Sequence, residues 1–171
     1  MTLIRQDFEG PEAVVTVREA TVADAGLILK FIRDLAEYER LLHEVEATEG
    51  DILRDLFSRS PRAFCDIAEA GGEPIGFALW FYSYSTFRGR PGIWLEDLFV
   101  EPQARGIGAG KALLKRLAER CVEQGLGRLE WAVLDWNAPS IAFYDSLGAA
   151  ALDDWTTRRL TGEALQRLAQ E

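Results

Sequence analysis

The sequence predicts a mixed α/β fold in a single domain, and three observations carry that expectation. Stretches that alternate with period two and stretches with helical spacing succeed one another, without the regular strand–helix–strand order of an all-parallel sheet. The chain has 171 residues, within the roughly 100–200 typical of one domain. Hydrophobic residues make up 48% and aromatics 11%, enough for one sizeable core, and no repeat, low-complexity tract or linker interrupts the order.

Residues 1–13 lack periodicity and read as an N-terminal extension, with the domain proper over 14–171. Met1 to Gly10 carries Arg5, Asp7 and Glu9 and no apolar run, unlike a signal peptide. Val15 and Val17 alternate with Thr16 and Arg18, a short strand. Thr21 and Asp24 form a capping box, Asp replacing the usual Glu, ahead of Leu27, Ile28, Phe31, Ile32 and Leu35 at helical spacing. The polar stretch Glu37 to Arg40 ends that helix. Thr48 with Asp51 opens a shorter one through Leu53, Leu56 and Phe57. Strand-like stretches Ala63 to Glu69 and Ile75 to Tyr84 flank Gly71-Gly72, a hairpin turn. Ser85 to Gly92, with Arg88, Gly89, Arg90 and Pro91, reads as a loop. Ile93 to Val100 is a strand stopped by Pro102. A helix from about Lys111 to Glu123 presents Leu113, Leu114, Leu117, Ala118, Cys121 and Val122 as its apolar stripe. Leu129 to Leu134 reads as a strand, Ser140 to Leu147 as a short helix stopped by Gly148, and Trp155 to Leu160 as a final strand. A terminal helix follows Gly162.

Nineteen Lys and Arg against 28 Asp and Glu give a net charge of -9, the reverse of what a phosphate-coating nucleic-acid binder needs. The longest apolar run, Ile75 to Tyr82, falls far short of the roughly 18 residues of a membrane span. Cys65 and Cys121 lie far apart inside apolar stretches and read as small core residues. With His43 as the single histidine and no metal-ligand spacing, no metal site is expected. A reducing, cytoplasmic setting follows from this cysteine usage.

The most informative stretch runs Val100-Glu101-Pro102-Gln103-Ala104-Arg105-Gly106-Ile107-Gly108-Ala109-Gly110-Lys111, after a strand and into a helix. A helix N-terminus offers backbone N–H groups to anions, and glycine lets the backbone approach phosphate oxygens without an intervening Cβ. Two familiar phosphate loops do not fit. A Walker A loop needs glycine five positions before Gly110 and Ser or Thr after Lys111, where Arg105 and Ala112 stand. A GxGxxG loop needs glycine where Lys111 or Leu113 stands.

What fits is Arg-x-x-Gly-x-Gly at Arg105, Gly108 and Gly110, which resembles the pyrophosphate loop of the GNAT N-acetyltransferase superfamily. Trp94-Leu95-Glu96-Asp97-Leu98-Phe99-Val100 before it resembles the diamine (spermidine/spermine-type) acetyltransferase branch. So do Leu134-Asp135-Trp136-Asn137-Ala138-Pro139-Ser140-Ile141-Ala142-Phe143-Tyr144 and Leu147-Gly148-Ala149 after it, and Leu35-Ala36-Glu37-Tyr38-Glu39 near the start. The resemblance implies a single-domain GNAT fold, with a mixed, mostly antiparallel central sheet flanked by helices. It also implies acetyl-coenzyme A as co-substrate, no metal, and a homodimer. The acceptor would be a primary amine of a small molecule: a polyamine, a diamine or a thialysine-like amino acid.

Acetyl transfer from a thioester to an amine poses two proton problems. An ammonium near pKa ~10.4 must lose a proton, at a cost of roughly 4–5 kcal/mol at pH 7, and a thiolate whose acid is near ~8.5 must be neutralised. The resemblance implies Glu96 as the base and Tyr144, a positioned phenol, as the acid beside the sulfur. It implies that the Leu98, Phe99 and Val100 amides meet the oxyanion and the pantetheine arm, and that Arg105, Gly106, Ile107, Gly108, Ala109 and Gly110 hold the pyrophosphate. Lys111 either approaches phosphate or is solvated. Asn137 and Ser140 are coenzyme contacts, helix caps, or both. Tyr38 and Glu39, with Glu96, line the acceptor site.

The polyamine pattern is broken in one loop. Ser85 falls where those enzymes carry aspartate and Phe87 where they carry tryptophan, while Arg88 and Arg90 add positive charge. Arg88 and Arg90 either repel a polycation and pair with the carboxylate of a small amine, or are solvated loop residues, or contact coenzyme phosphate. Two readings stand beside catalysis on a small amine: an acetyl-coenzyme A-binding sensor or scaffold module, and acetylation of a protein lysine or N-terminus.

Overall fold

A computed structural model describes residues 14–171, so the expected extension over 1–13 lies outside the described residues. The chain divides into two compact units, Met1–Ala132, described from Val14 onward, and Val133–Glu171.

The first unit is built on a five-stranded sheet in the order β1 (Val15–Glu19), β2 (Phe64–Ala70), β3 (Glu73–Ser85), β4 (Arg90–Val100) and β5 (Leu129–Trp131). Pairs from β1 to β4 are antiparallel and β4–β5 is parallel, so the expected mixed, mostly antiparallel sheet is what forms. Gly71 and Gly72 make the β2–β3 turn with φ of 60° and 85°, a left-handed geometry that glycine adopts without strain. The expected loop from Ser85 to Gly92 is shorter than its composition suggests. Ser83, Tyr84 and Ser85 pair with Gly92, Pro91 and Arg90, leaving only residues 86–89 as the turn. Ladder pairing overrides the local turn preference of Arg-Gly-Arg-Pro.

Two helices cover one face and one the other. Helix α1 (Ala25–Tyr38) buries Ile28 and Phe31, and Phe31 stacks on Phe77 at 5.5 Å and lies 6.1 Å from Phe99. Ile52 of α2 (Glu49–Leu56), Cys65 and Ile67 complete that core. Each fully buried large side chain contributes about 1.5–3 kcal/mol. Alternate residues of the same strands face α3 (Ala109–Glu123), which buries Leu113, Leu114, Leu117 and Cys121. The expected stripe is corrected here. Ala118 is exposed and Val122 is 83% exposed, while Arg120 is buried beneath the sheet. Its guanidinium meets Asp66 at 2.9 Å and Glu19 at 2.8 Å and stacks on Trp80.

Both expected capping boxes form, at Thr21–Asp24 and Thr48–Asp51. Asp24 also receives Arg18, at 2.8 and 2.9 Å, while the Arg18 Nε reaches Glu69 at 2.7 Å. The Arg18 guanidinium, ahead of the Thr21 backbone and hydroxyl, holds the Asp24 carboxyl down at about 2, against an ordinary 3.8. A depressed carboxylate contributes stability above its unfolded pKa and loses it as pH falls through the folded value. The chain is therefore expected to lose about 1–2 kcal/mol of stability between pH 4 and 2 that Asp24→Asn does not lose, measured by thermal unfolding across that window.

The second unit holds α4 (Ala138–Ser146) and α5 (Gly162–Leu168). Gly148, with φ 81°, follows α4 as expected of a helix stop. Two expected strands are corrected. The one from Leu129 shortens to Leu129–Trp131, and Trp155 to Leu160 forms no strand at all. Trp155 is 76% exposed and no described strand pairs with this segment; alternation without a ladder partner does not make a strand. No helix among the described residues is long and apolar enough to cross a membrane.

Candidate active site

The geometry of β4 decides which of its residues can act. Its register with β3 passes from Trp80↔Leu95 to Leu79↔Asp97, so Glu96 is the extra residue of a β-bulge. Before the bulge, Leu95 lies opposite Trp80, on the face that carries Arg120 of α3. After it, Asp97 lies opposite Leu79, which packs against the α1 core. Without the bulge Leu95 and Asp97 would share a face; the bulge moves Asp97 across to the α1 side. Trp94 pairs with Phe81, on that side too, and its indole Nε1 donates to Glu96 Oε2 at 2.9 Å. Glu96 and Asp97, neighbours in sequence, therefore both present carboxyls on the α1 face.

Glu39, just past the end of α1, is half-buried, and burial raises its carboxyl above the ordinary range. Burial, then the charges of Glu96 and Glu39, push the Asp97 carboxyl up to about 7. This is a concentration of negative charge suited to a cationic amine. Asp97 was not among the residues expected to act. The signal available was its place beside Glu96, but plain strand alternation puts neighbours on opposite faces.

The same strand has an open edge. Its parallel pairing with β5 covers only Ile93, Leu95 and the residue between them, against Leu129–Trp131, and β5 ends there. From Glu96 to Val100 no strand among the described residues pairs with the β5-facing edge of β4. Leu98 and Val100 turn their backbone groups to that edge, the Val100 carbonyl taking the Arg105 Nε, whereas Phe99, in step with Glu101 whose amide bonds the Ile75 carbonyl, turns its own to β3. Buried Phe99 anchors this stretch to the core.

The strand then leads through a turn at Pro102–Ala104 into the glycine segment. Gly106 and Gly108 take φ of 90° and 93°, and Gly108 is the N-cap of α3 with no side-chain cap. The first-turn amides of α3, at Ala109, Gly110 and Lys111, have no partner from within the helix. Gly106, Ile107, Gly108 and Lys111 are exposed, which suits an anion seat. Arg105 is already engaged. Its Nε donates to the Val100 carbonyl at 3.1 Å and its guanidinium lies 4.7 Å from the Tyr38 ring centre. It ties the turn to β4 and to the end of α1. Tyr38 also lines a cleft of about 380 Å³ with Lys30, Asp34, Phe99 and Glu101.

At the hairpin, buried Ser85 accepts the Arg88 amide at 3.3 Å, while Phe87 is 96% exposed. Arg88 and Arg90 stand there too, six residues or more before Glu96, roughly 20 Å along a strand.

In the second unit, buried Asn137 accepts the Ser140 amide at 3.4 Å through Oδ1 and so caps α4, with a proline in its first turn. Tyr144 is half-buried on that helix, its ring 5.4 Å from Phe143. Among the described residues no three metal-ligating side chains gather.

The model of the acetyltransferase (GNAT) family matches residues 29–149 of this chain. The chain is 42% identical over 168 residues to the thialysine N-epsilon-acetyltransferase of Bos taurus, spanning 92% of this chain and 98% of that protein. It is 32% identical over 197 residues to the L-ornithine N5-acetyltransferase of Arabidopsis thaliana, spanning 89% and 86%. Among solved structures, an integron cassette protein from the mobile metagenome of V. cholerae shares the fold with a TM-score of 0.77 at 24% identity, over 95% of this chain and all of that one.

Proposed function

The chain belongs to the GNAT acetyltransferase family, and from that premise we propose that it moves an acetyl group from acetyl-coenzyme A to a primary amine of a small molecule, a basic amino acid before a polyamine. The observation that carries the reading is the open edge of β4 running straight into the uncapped glycine turn of α3. The open amides of Leu98 and Val100 suit the amide-bearing pantetheine arm, and the turn from Gly106 to Lys111 suits the pyrophosphate. Acetyl-coenzyme A, when bound, supplies the acetyl group activated as a thioester. Asn137 and Ser140 are further contacts to it in this reading.

Glu96 takes the proton from the acceptor ammonium, and Tyr144 donates one to the departing sulfur. Tyr38, Glu39 and Glu96 receive the acceptor. The carboxylates supply attraction for a cation, and the relatives named for thialysine and ornithine support an amino-acid acceptor. We take residues 14–171 as one N-acetyltransferase domain. The free thiols of Cys65 and Cys121 support a reducing, cytoplasmic setting. Exposed Trp155, Leu160, Leu165 and Leu168 support a homodimer.

Thiol release with wild-type protein, acetyl-coenzyme A and a panel of ornithine, lysine analogues, diamines and spermidine tests the reading. Basic amino acids are expected to give the highest kcat/KM. Tight coenzyme binding with no release from any amine would make the chain a sensor module instead. The coenzyme seat is tested by calorimetry on Gly110→Val. Gly110 lies within α3, outside the left-handed region, so the substitution adds bulk without the strain that Gly108→Val brings. Affinity is expected to fall by roughly tenfold or more, ~1.4 kcal/mol, in a folded protein, and unchanged affinity would remove the turn from the site.

A further inference from the structure

The bulge at Glu96 sets two carboxyls of different character side by side. Glu96 is exposed and holds the Trp94 indole. Asp97 is half-buried, and among the described residues its side chain has neither a hydrogen bond nor an ion pair. The groups around it are all acidic. Glu96 stands on its own strand, Glu39 at the end of α1, and the Cys65 thiol on β2, while the β3 residue opposite is Leu79. Among the described residues no cation pairs with it. A half-buried carboxyl with only acids around it is costly for a fold to keep and needs a reason.

We propose that Asp97 holds the proton shed by the acceptor ammonium, with the exposed Glu96 passing it inward. The inference rests on the acetyl-transfer reading above. In balance, the ammonium gives one N–H proton through Glu96 to the Asp97 carboxylate and becomes the free amine. The nitrogen lone pair forms the C–N bond, the C–S bond breaks, and the sulfur takes the proton of Tyr144. The second nitrogen proton restores the phenol, and Asp97 releases its own to water, so ammonium and thioester yield amide, thiol and one proton. Holding that proton suits a group that burial and like charge have pushed up to about 7, since it both accepts and releases near neutral pH. Glu96 supplies contact with solvent and substrate, and Asp97 the proton affinity.

The test compares kcat/KM against pH for wild type, Asp97→Asn and Glu96→Gln with one good amine acceptor. Wild type is expected to show a limb with a midpoint near pH 7. Asp97→Asn should lose that limb, rising only toward the pKa of the amine itself, with the rate at pH 7 lower by about 10²-fold. Glu96→Gln should also be slow but keep the limb, displaced to lower pH because the charge that raises Asp97 is gone. A limb retained at its wild-type position in Asp97→Asn, or abolished in Glu96→Gln, overturns the proposal.

A second readout needs no turnover. A carboxyl whose folded pKa exceeds its unfolded value costs stability increasingly as pH rises toward the folded value. Asp97→Asn is therefore expected to raise Tm more at pH 8 than at pH 5. An equal effect at both pH values overturns this inference alone. Absence of turnover with every amine overturns the acetyl-transfer reading, and this role with it.

Discussion

Replacing Arg120 with alanine is expected to destabilise the protein by about 3–5 kcal/mol, the cost of breaking a buried ion pair from one side. Arg120 is 5% exposed and Asp66 1%. Its two terminal nitrogens reach both Asp66 oxygens, at 2.9 and 3.2 Å, and the second also meets Glu19 at 2.8 Å. Trp80 Nε1 donates to the same carboxylate at 2.8 Å, and the guanidinium covers its ring. Alanine would leave Asp66 charged in the interior with the Trp80 indole as its remaining partner among the described residues. Lysine should recover only part of the loss, because an ammonium cannot form the paired contact or stack as a planar group. Denaturant unfolding measures the effect, and at 2–4 °C per kcal/mol the Tm should drop by about 6–20 °C. A loss below about 1 kcal/mol would mean that the network adds little beyond what packed apolar residues would supply.

Tyr144→Phe is expected to lower kcat by about 10²–10⁴ while leaving coenzyme affinity nearly unchanged. Phenylalanine keeps the ring that lies 5.4 Å from Phe143, and the Asn137 cap on α4 is untouched, so the position of the helix should not change. What disappears is one proton donor. A phenol near pKa ~10 is a weak acid for a thiol near ~8.5, so it acts as a placed donor whose proton moves late in C–S cleavage. Raising the pH should therefore not rescue this variant, because the leaving group still lacks its proton. Single-turnover rates alongside calorimetry separate the two effects. A kcat within tenfold of wild type would move the acid role to water or another residue.

Local chemistry made much of this protein legible before any tertiary contact. The Thr21–Asp24 and Thr48–Asp51 boxes, the apolar spacing in α1 and α3, and the Gly71-Gly72 turn are written within a few residues of where they act. Gly106 and Gly108 adopt the positive φ that only glycine tolerates freely, so the turn between β4 and α3 was also readable from neighbours. Misreadings fell where a distant partner decides. Trp155 to Leu160 alternates like a strand but finds no ladder, and Arg90, Pro91 and Gly92, turn-like in composition, are drawn into pairing with β3. Val122 follows Leu114 by eight residues, a helical spacing, yet faces solvent.

The sequence by itself determined the order of elements, their caps, the glycine turn and the identity of the acid and base candidates. Tertiary structure alone decided that Arg120 is buried, that β5 leaves β4 open beyond Leu95, and that Asp97 joins Glu96 on one face. The physical reason is the range of the forces. Caps and turns are hydrogen bonds closed within about four residues, which a sequence displays directly. A bulge, an unpaired strand edge and a buried ion pair exist only relative to a partner dozens of residues away, as Arg120 is to Asp66, 54 positions apart. Until that partner is in place, strand alternation assigns Glu96 and Asp97 to opposite faces, and the acidic cluster on the α1 side is invisible.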